Sequence, residues 1–492
     1  MKGPIRYILL FAIFLGVAVA NFSFVTSSSS SAKKVQTVFL QQLDSLDNCL
    51  QNLNNRLLTL KDKKGVSQAK KAYLDCRKVY KQVEFLVEYY NTTSAKQLNG
   101  GLVDEVEEDD PNQRVQKPQG LQVIEELIWA DSAWQNRNDL IQEVATAKAV
   151  LLRVKQLALA VEFEDDAIFE AIAQEITRIY TLGLAGFDSP AADNSLVEAS
   201  IAFKSIEKAL RIYIEQAPKE CKEQVTVLNA TYARLDNAFA LEKNLSSFNH
   251  AYFIQRMVLP FYAALIGFQE SLHIPFNGLS TAVYPKASSP FAAKSWNANF
   301  YNAEKYTKTN ERQVELGKML FFDPVLSGNN KRACAGCHQP EKAFADGVAK
   351  SIAFDFEGTV SRNAPSIINS ALQANLFWDG KVSYYEDQVT AVTQNEIEMH
   401  GDLKEVVAKL ANSTEYVGLF RAAYAGTADT LISSLSLRKA IAAYERSLIG
   451  YNSRFDQYLN GNTLAMNAQE IAGFTLFMSK AQCGTCHFVQ MK

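Results

Sequence analysis

The sequence predicts a mainly α-helical protein built in two parts, and three observations carry that expectation. Apolar residues recur at steps of three and four through most of the N-terminal half, the signature of helices that bury one face. Two five-residue motifs of identical pattern stand far downstream, and an irregular stretch with three prolines separates the two regions. The chain of 492 residues is long for one core, and the length prior suggests about three domains. Hydrophobic residues make up 48% and charged residues 21%, ordinary for a soluble globular protein. A net charge of −3 argues against a general nucleic-acid binder.

Taken in order, Lys2 and Arg6 precede an apolar run at 7–19 that ends in Ala18-Val19-Ala20, so residues 1–20 read as a signal peptide. Export to the periplasm or cell envelope follows. An uncleaved signal would instead leave a membrane tether, with the serine tract at 27–31 as a flexible leash, and 21–34 is expected to be a Ser-rich linker. No other 18-residue apolar stretch is expected to span a membrane.

Residues 35–274 read as a helical bundle. Val35, Phe39, Leu43, Leu46, Leu50, Leu53, Leu57 and Leu60 form one stripe, and Tyr73, Cys76, Tyr80, Val83, Val87 and Tyr90 a second, with a turn at 61–65 between them. Further helices are expected at 121–129, 139–163, 166–184, 195–216 and 245–272, with Gly186 and Pro190 breaking the series. The acidic stretch 104–110 is expected to be a charged surface loop. Cys49, Cys76 and Cys221 are compatible with one disulfide or with buried thiols; Cys49 and Cys76 lie on neighbouring stripes, and three is an odd number. Gly120-Leu121-Gln122-Val123-Ile124-Glu125 resembles the Gly-x-His-x-x-Glu stretch of the imelysin-like family, helical envelope proteins linked to iron uptake. Gln122 stands at the His position, and an amide is a poor iron ligand beside imidazole. The domain is expected to serve as a docking or scaffolding module. Residues 275–310, with Pro275, Pro285 and Pro290, read as a linker.

The two motifs are Cys334-Ala335-Gly336-Cys337-His338 and Cys483-Gly484-Thr485-Cys486-His487. Two thiols three positions apart can each add to a vinyl group of one haem, and the adjacent His can ligate its iron. A shared zinc site would need the pairs to be neighbours, yet each comes with its own His in a chain of only five histidines. Two covalently attached haem c groups are therefore expected, held by Cys334, Cys337, Cys483 and Cys486, with His338 and His487 on the irons.

Around the motifs stand Leu316-Gly317, Leu320-Phe321, Phe344-Ala345-Asp346-Gly347, Arg362-Asn363-Ala364-Pro365, Phe377-Trp378-Asp379-Gly380, Gln388, Glu398-Met399, Tyr444-Glu445-Arg446, Phe455-Asp456 and Gly473-Phe474. Over about 316–487 this ordered set resembles the bacterial dihaem cytochrome c peroxidase family, which includes the methylamine-utilisation dihaem enzymes. After the helical bundle read from the periodicity, the resemblance implies cytochrome c-like haem domains, the first at 311–445 and the second beginning at 446–492. It implies reduction of hydrogen peroxide at the first haem with electrons from a small donor such as a cytochrome c. Glu398 matches the family's acid-base carboxylate, Gln388 its companion amide, Trp378 the aromatic relay between haems, and Asn363 a ligand of a calcium ion. Many members block the first haem with a second His on the loop after the motif; no His occurs between His338 and Asn363, so an open first haem is expected. The family's distal ligand on the second haem, Met or Tyr, lies well downstream of the motif, and Met491 is too near His487 to serve. The chain is therefore expected to be the N-terminal portion of a longer protein, with the second haem domain incomplete. Oxidation of residues on a partner protein, plain dihaem electron transfer, and iron or haem uptake are the competing functions; a homodimer is left open. Arg332 and Arg362 suit haem propionates and the protein surface equally.

Overall fold

The computed structural model describes residues 29–106, 115–278, 281–302, 309–426 and 432–489, and these are overwhelmingly helical. The expected signal peptide and most of the acidic loop lie outside the described residues. Helix α1 (Ser30–Leu58) pairs with α2 (Lys63–Tyr90), and the stripes anticipated from the sequence face each other in the core. Ser29 caps α1 by accepting from Ala32 N at 3.0 Å, and Asp62 caps α2 by accepting from Gly65 N at 2.8 Å, each satisfying a donor the helix leaves unpaired. The expected linker at 21–34 needs correction over its described part. Residues 30–34 form the first turn of α1 with Ser31 and Ala32 buried, and Ser29 Oγ donates to Asp165 at 2.5 Å, because their apolar period continues that of the stripe.

Next come α3 (Thr92–Asn99), a two-stranded hairpin of β1 (Glu105–Val106) and β2 (Val115–Gln116), then α4 (Leu121–Trp129), α5 (Arg137–Ala160), α6 (Asp165–Thr181), α7 (Ser195–Ile214), α8 (Lys222–Leu241) and α9 (His250–Ser271). Helix α8 was not anticipated. It buries only Leu228, Thr231, Leu235 and Phe239 along its length, a stripe too thin to stand out by periodicity. Helix α9 is long and apolar enough to cross a membrane by length and composition, contrary to the expectation that no second such stretch exists. It packs in the bundle core through Ile254, Val258, Phe261, Leu265 and Phe268, and burial on several sides explains its hydropathy. Each such side chain contributes about 1.5–3 kcal/mol when fully buried, against about 0–1 kcal/mol for an exposed ion pair, so apolar burial dominates the stability of the bundle.

One polar cluster interrupts that core. Arg77, fully buried, donates to Glu198 from Nε at 2.9 Å and from Nη2 at 2.5 Å, and also to Asn99. Lys81 donates to Glu84 and to Asp188, each at 2.7 Å, and Arg178 reaches Asp188 through two bonds of 2.8 Å. These charges are affordable only because each finds opposite partners. Glu125 belongs to the same region: it accepts from Tyr73 Oη and from Ala191 N and Ala192 N, all at 2.9 Å, and so ties α4 to the turn before α7. Gln122 is buried and donates to Asn99 O at 3.2 Å. Both residues of the imelysin-like stretch are thus committed to structural bonds.

Residues 281–302 form an irregular strap with Phe291 and Trp296 buried. Two contacts fix the stretch expected at 275–310 as an inter-domain connection. Trp296 stacks on Tyr451 with ring centres 5.0 Å apart, and Asn460 Nδ2 donates to Phe291 O at 2.9 Å. The remaining helices are α10 (Glu311–Phe322), α11 (Tyr385–Gln394), α12 (Leu403–Ala411), α13 (Thr414–Ala423), α14 (Ser434–Ser447), α15 (Arg454–Leu459) and α16 (Ala468–Met478). Helices α10 and α14 cross with their backbones in contact. A Cβ at Gly317 would stand 1.8 Å from Ala440 O, so only glycine allows the approach. Leu316, Leu320, Leu437, Ala440 and Ile441 fill the small core beside the crossing. Because α14 runs unbroken to Ser447, the division expected at 445/446 falls inside a helix. Beyond it, Phe455, Tyr458, Leu459 and Phe474 pack on the N-terminal bundle, and Gln255 Nε2 donates to Tyr458 O from the π-turn Ile254–Val258 of α9.

Candidate functional site

Both cysteine motifs adopt one backbone form. Cys334–Gly336 and Cys483–Thr485 are single 3₁₀ turns. The His338 amide donates to Cys334 O at 2.9 Å, and the His487 amide to Cys483 O at 2.8 Å. Each turn therefore presents its two thiols and its imidazole in the same order, as one ligand gripped at three points requires.

The first motif sits in a prepared setting. His338 Nδ1 lies 3.0 Å from Phe344 O, so with a proton on Nδ1 it donates there, and the Pro365 backbone is a second partner of the ring. Fixing one ring nitrogen in this way is how a protein orients a metal-binding imidazole. The carbonyl is aimed by two successive left-handed residues, Ala343 (φ 56°) and Phe344 (φ 60°), a strained turn that Ser366 Oγ secures by donating to Ala343 O at 2.6 Å. Burial lowers the His338 pKa, which favours the neutral, ligating form, and burial pushes the Cys334 thiol up to about 12. The residues fit a covalently held haem: two thiols, one oriented imidazole, and an apolar wall of Phe321, Phe344, Ile367 and Tyr444.

Glu398 is brought to this motif by two turns packed back to back. A Cβ at Gly328 would stand 2.1 Å from His400 O, and one at Gly401 2.1 Å from Leu326 O, so the segments 326–328 and 399–401 touch backbone to backbone. Gly328 N donates to Met399 O at 3.0 Å, and Phe354 N donates to Ile397 O at 2.9 Å from the other side. Asn395 Nδ2 holds the Glu398 carboxyl at 2.9 Å. Burial raises the Glu398 pKa against the pull of Lys381, Arg332 and Asn395, and Glu398 in turn helps burial to raise the thiol of Cys337. Arg332 lies between them: it donates to Ile352 O at 2.7 Å and Ala353 O at 2.5 Å, reaches Cys337 Sγ at 3.6 Å, and covers the ring of Phe356. Of the two placements left open for Arg332, surface exposure is excluded. Arg362 is exposed against Trp378.

The other expected residues are less tightly gathered. Gln388 is half-buried on α11. Trp378 is 82% exposed, with the Arg362 guanidinium 5.7 Å from its ring centre, so it is not a core residue. Asn363 is exposed in the same loop. Among the described residues no group of three or more His, Cys, Asp or Glu side chains forms a metal cluster. In the second motif Gly484 is buried, and a Cβ there would stand 3.1 Å from Ala185 Cβ, while Cys486 and His487 are exposed.

Two residues had no assigned role from sequence. Asp346 is buried and accepts from Ser351 Oγ at 2.5 Å; burial pushes its carboxyl up, but the hydrogen bonds prevail and hold it below its ordinary value. Glu445 is buried beside Cys334 with its Oε2 lacking a hydrogen-bond partner, and burial pushes its pKa up to about 8. Only its place in the Tyr444-Glu445-Arg446 run marked it.

Residues 311–464 match the family model for di-haem cytochrome c peroxidase, so the resemblance expected from the motifs holds over the C-terminal part of the chain. The chain is 37% identical over 177 residues to cytochrome c551 peroxidase of Pseudomonas aeruginosa, an alignment covering 36% of this chain and 50% of that protein. It is 30% identical over 210 residues to the methylamine utilization protein MauG of Methylophilus methylotrophus, covering 40% and 61%. A solved MauG-like protein associated with microbial copper homeostasis is 33% identical, with coverage of 37% and 53% and a TM-score of 0.35. The chain thus spans about half the length of the curated relatives it matches.

Proposed function

We propose that this protein is an exported peroxidase that carries two covalently attached haem c groups and reduces hydrogen peroxide to water with electrons from a small redox protein such as a cytochrome c. The observation that carries the reading is Glu398, a carboxyl of raised pKa fixed by two interlocked turns beside the first Cys-x-x-Cys-His motif. Cys334, Cys337 and His338 would hold one haem and Cys483, Cys486 and His487 the other, and the iron would supply the electrons for reducing peroxide.

The chain's own residues manage protons and access. A carboxyl with raised pKa can take a proton from one peroxide oxygen and return it to the other, the general acid-base task that peroxide cleavage requires. Asn395 keeps the carboxyl in one orientation, and Lys381 and Arg332 limit how far burial raises it. The Gln388 amide is assigned to orient peroxide, Trp378 to relay electrons from its exposed position, and Asn363 to a calcium ion. With no His between His338 and Asn363, the loop after the motif holds no second imidazole that would block the first haem. The test is Glu398→Gln in haem-loaded protein, assayed for peroxide-dependent oxidation of reduced cytochrome c. A loss of about 10²- to 10⁴-fold with both haems retained is expected; undiminished turnover would overturn the assignment.

A further inference from the structure

Three cysteines lie outside the motifs, and the fold treats them differently. Cys221 Sγ donates to Ser271 O at 3.2 Å and is accounted for there. Cys49 on α1 and Cys76 on α2 are free thiols on the paired helices, Cys49 packed against the same core that holds Cys76. Cys76 is fully buried between Tyr73 and Tyr80, whereas Cys49 is half-buried at the edge of its stripe and is the one a small molecule can reach.

We propose that Cys49 and Cys76 are a peroxide-responsive thiol pair that closes to a disulfide between α1 and α2. The oxidant is hydrogen peroxide, and to that extent the proposal rests on the function assigned to the haem part. The Cys49 thiolate attacks one peroxide oxygen; the O–O bond breaks, and the departing hydroxide takes up a proton as water, leaving a sulfenic acid on Cys49. The Cys76 sulfur then attacks the Cys49 sulfur; the S–S bond forms, the S–O bond breaks, and a second water leaves with the Cys76 proton. Two thiols lose two electrons and two protons in all, and one peroxide becomes two waters. The difference in exposure favours this order. The neighbouring Cys76 thiol lowers the Cys49 pKa, against the opposing effects of burial and Asp75, while Cys49 and burial raise that of Cys76. Attack therefore begins at the accessible sulfur, and the buried one resolves it.

The experiment uses full-length, haem-loaded protein, reduced, desalted, treated with a slight excess of hydrogen peroxide, then denatured, alkylated and digested. Mass spectrometry is expected to find the Cys49 and Cys76 peptides joined, released again by dithiothreitol, with Cys221 alkylated as before. In Cys76→Ser, Cys49 is expected to be captured by dimedone as the sulfenic acid. The proposal is overturned if both thiols of the wild-type chain remain alkylatable, or if Cys221 oxidises as fast as the pair; the wild-type result stands whether or not the variant folds. Peroxide turnover with reduced cytochrome c is read in parallel. Turnover without disulfide defeats the thiol pair alone, and disulfide without turnover defeats the haem assignment alone.

Discussion

Replacing Glu445 with Gln removes one buried titration while keeping the side chain's shape. Glu445 is 6% exposed on α14, and the neighbouring Arg446 is engaged elsewhere, donating to both oxygens of Glu386 at 2.8 and 2.9 Å. Burial therefore prevails over the attraction of Arg446, with Glu386 adding repulsion, and the carboxyl titrates at about 8 instead of 4.5. A raised carboxyl pKa destabilises the native state as pH rises. Below the unfolded value both states are protonated; between the two values the unfolded chain releases its proton and the native one does not. At about 1.36 kcal/mol per pH unit, the loss is about 3 kcal/mol at pH 7 and about 5 kcal/mol above pH 8. Glu445→Gln should recover that stability on the alkaline side and change little near pH 4.5. Amide hydrogen exchange of α14 peptides, compared between wild type and variant at each pH in haem-loaded protein, measures the difference directly. A difference that stays constant from about pH 5 to about pH 9, or a variant less protected than wild type at about pH 8, would refute the reasoning.

Three further outcomes follow from the same structure. Gly317→Ala should separate α10 from α14 and lower both melting temperature and haem content, whereas Gly473→Ala, where nothing stands within 4 Å of the added methyl, should leave both near wild type. Arg77→Met should cost about 3 kcal/mol by taking the close guanidinium from buried Glu198 and leaving it the longer contacts to Lys81 at 3.8 Å and Asn194 at 3.3 Å, read as a fall in the thermal midpoint of the bundle; Arg77→Met with Glu198→Leu should recover part of it. Gly401→Ala should push the Glu398 turn away from residue 326 and depress peroxide turnover more than helix content, measured by steady-state kinetics beside circular dichroism.

Several of these features were legible in the sequence for definite reasons. The stripes of α1 and α2 stand out because both helices bury one broad face, and both Cys-x-x-Cys-His motifs are local patterns whose 3₁₀ turns need nothing from the rest of the chain. Helix α8 was missed because it buries four residues in twenty, and the start of α1 because serines read as a linker until they are seen to cap and pack. Glu398 could be selected only by its resemblance to a family pattern, since one carboxylate in a polar turn looks like any other.

Periodicity and spacing along the chain suffice for the helical class, the two Cys-x-x-Cys-His motifs and the order of elements around them, because they are properties of neighbours in sequence. Tertiary structure alone decided three other things: that Glu398 stands by Cys337, that Glu445 and the Arg77 cluster are buried, and that the segment with the second motif packs on the N-terminal bundle. Each depends on contacts between residues far apart in sequence, and desolvation, which sets the chemistry of those carboxyls, exists only once the chain has closed around them.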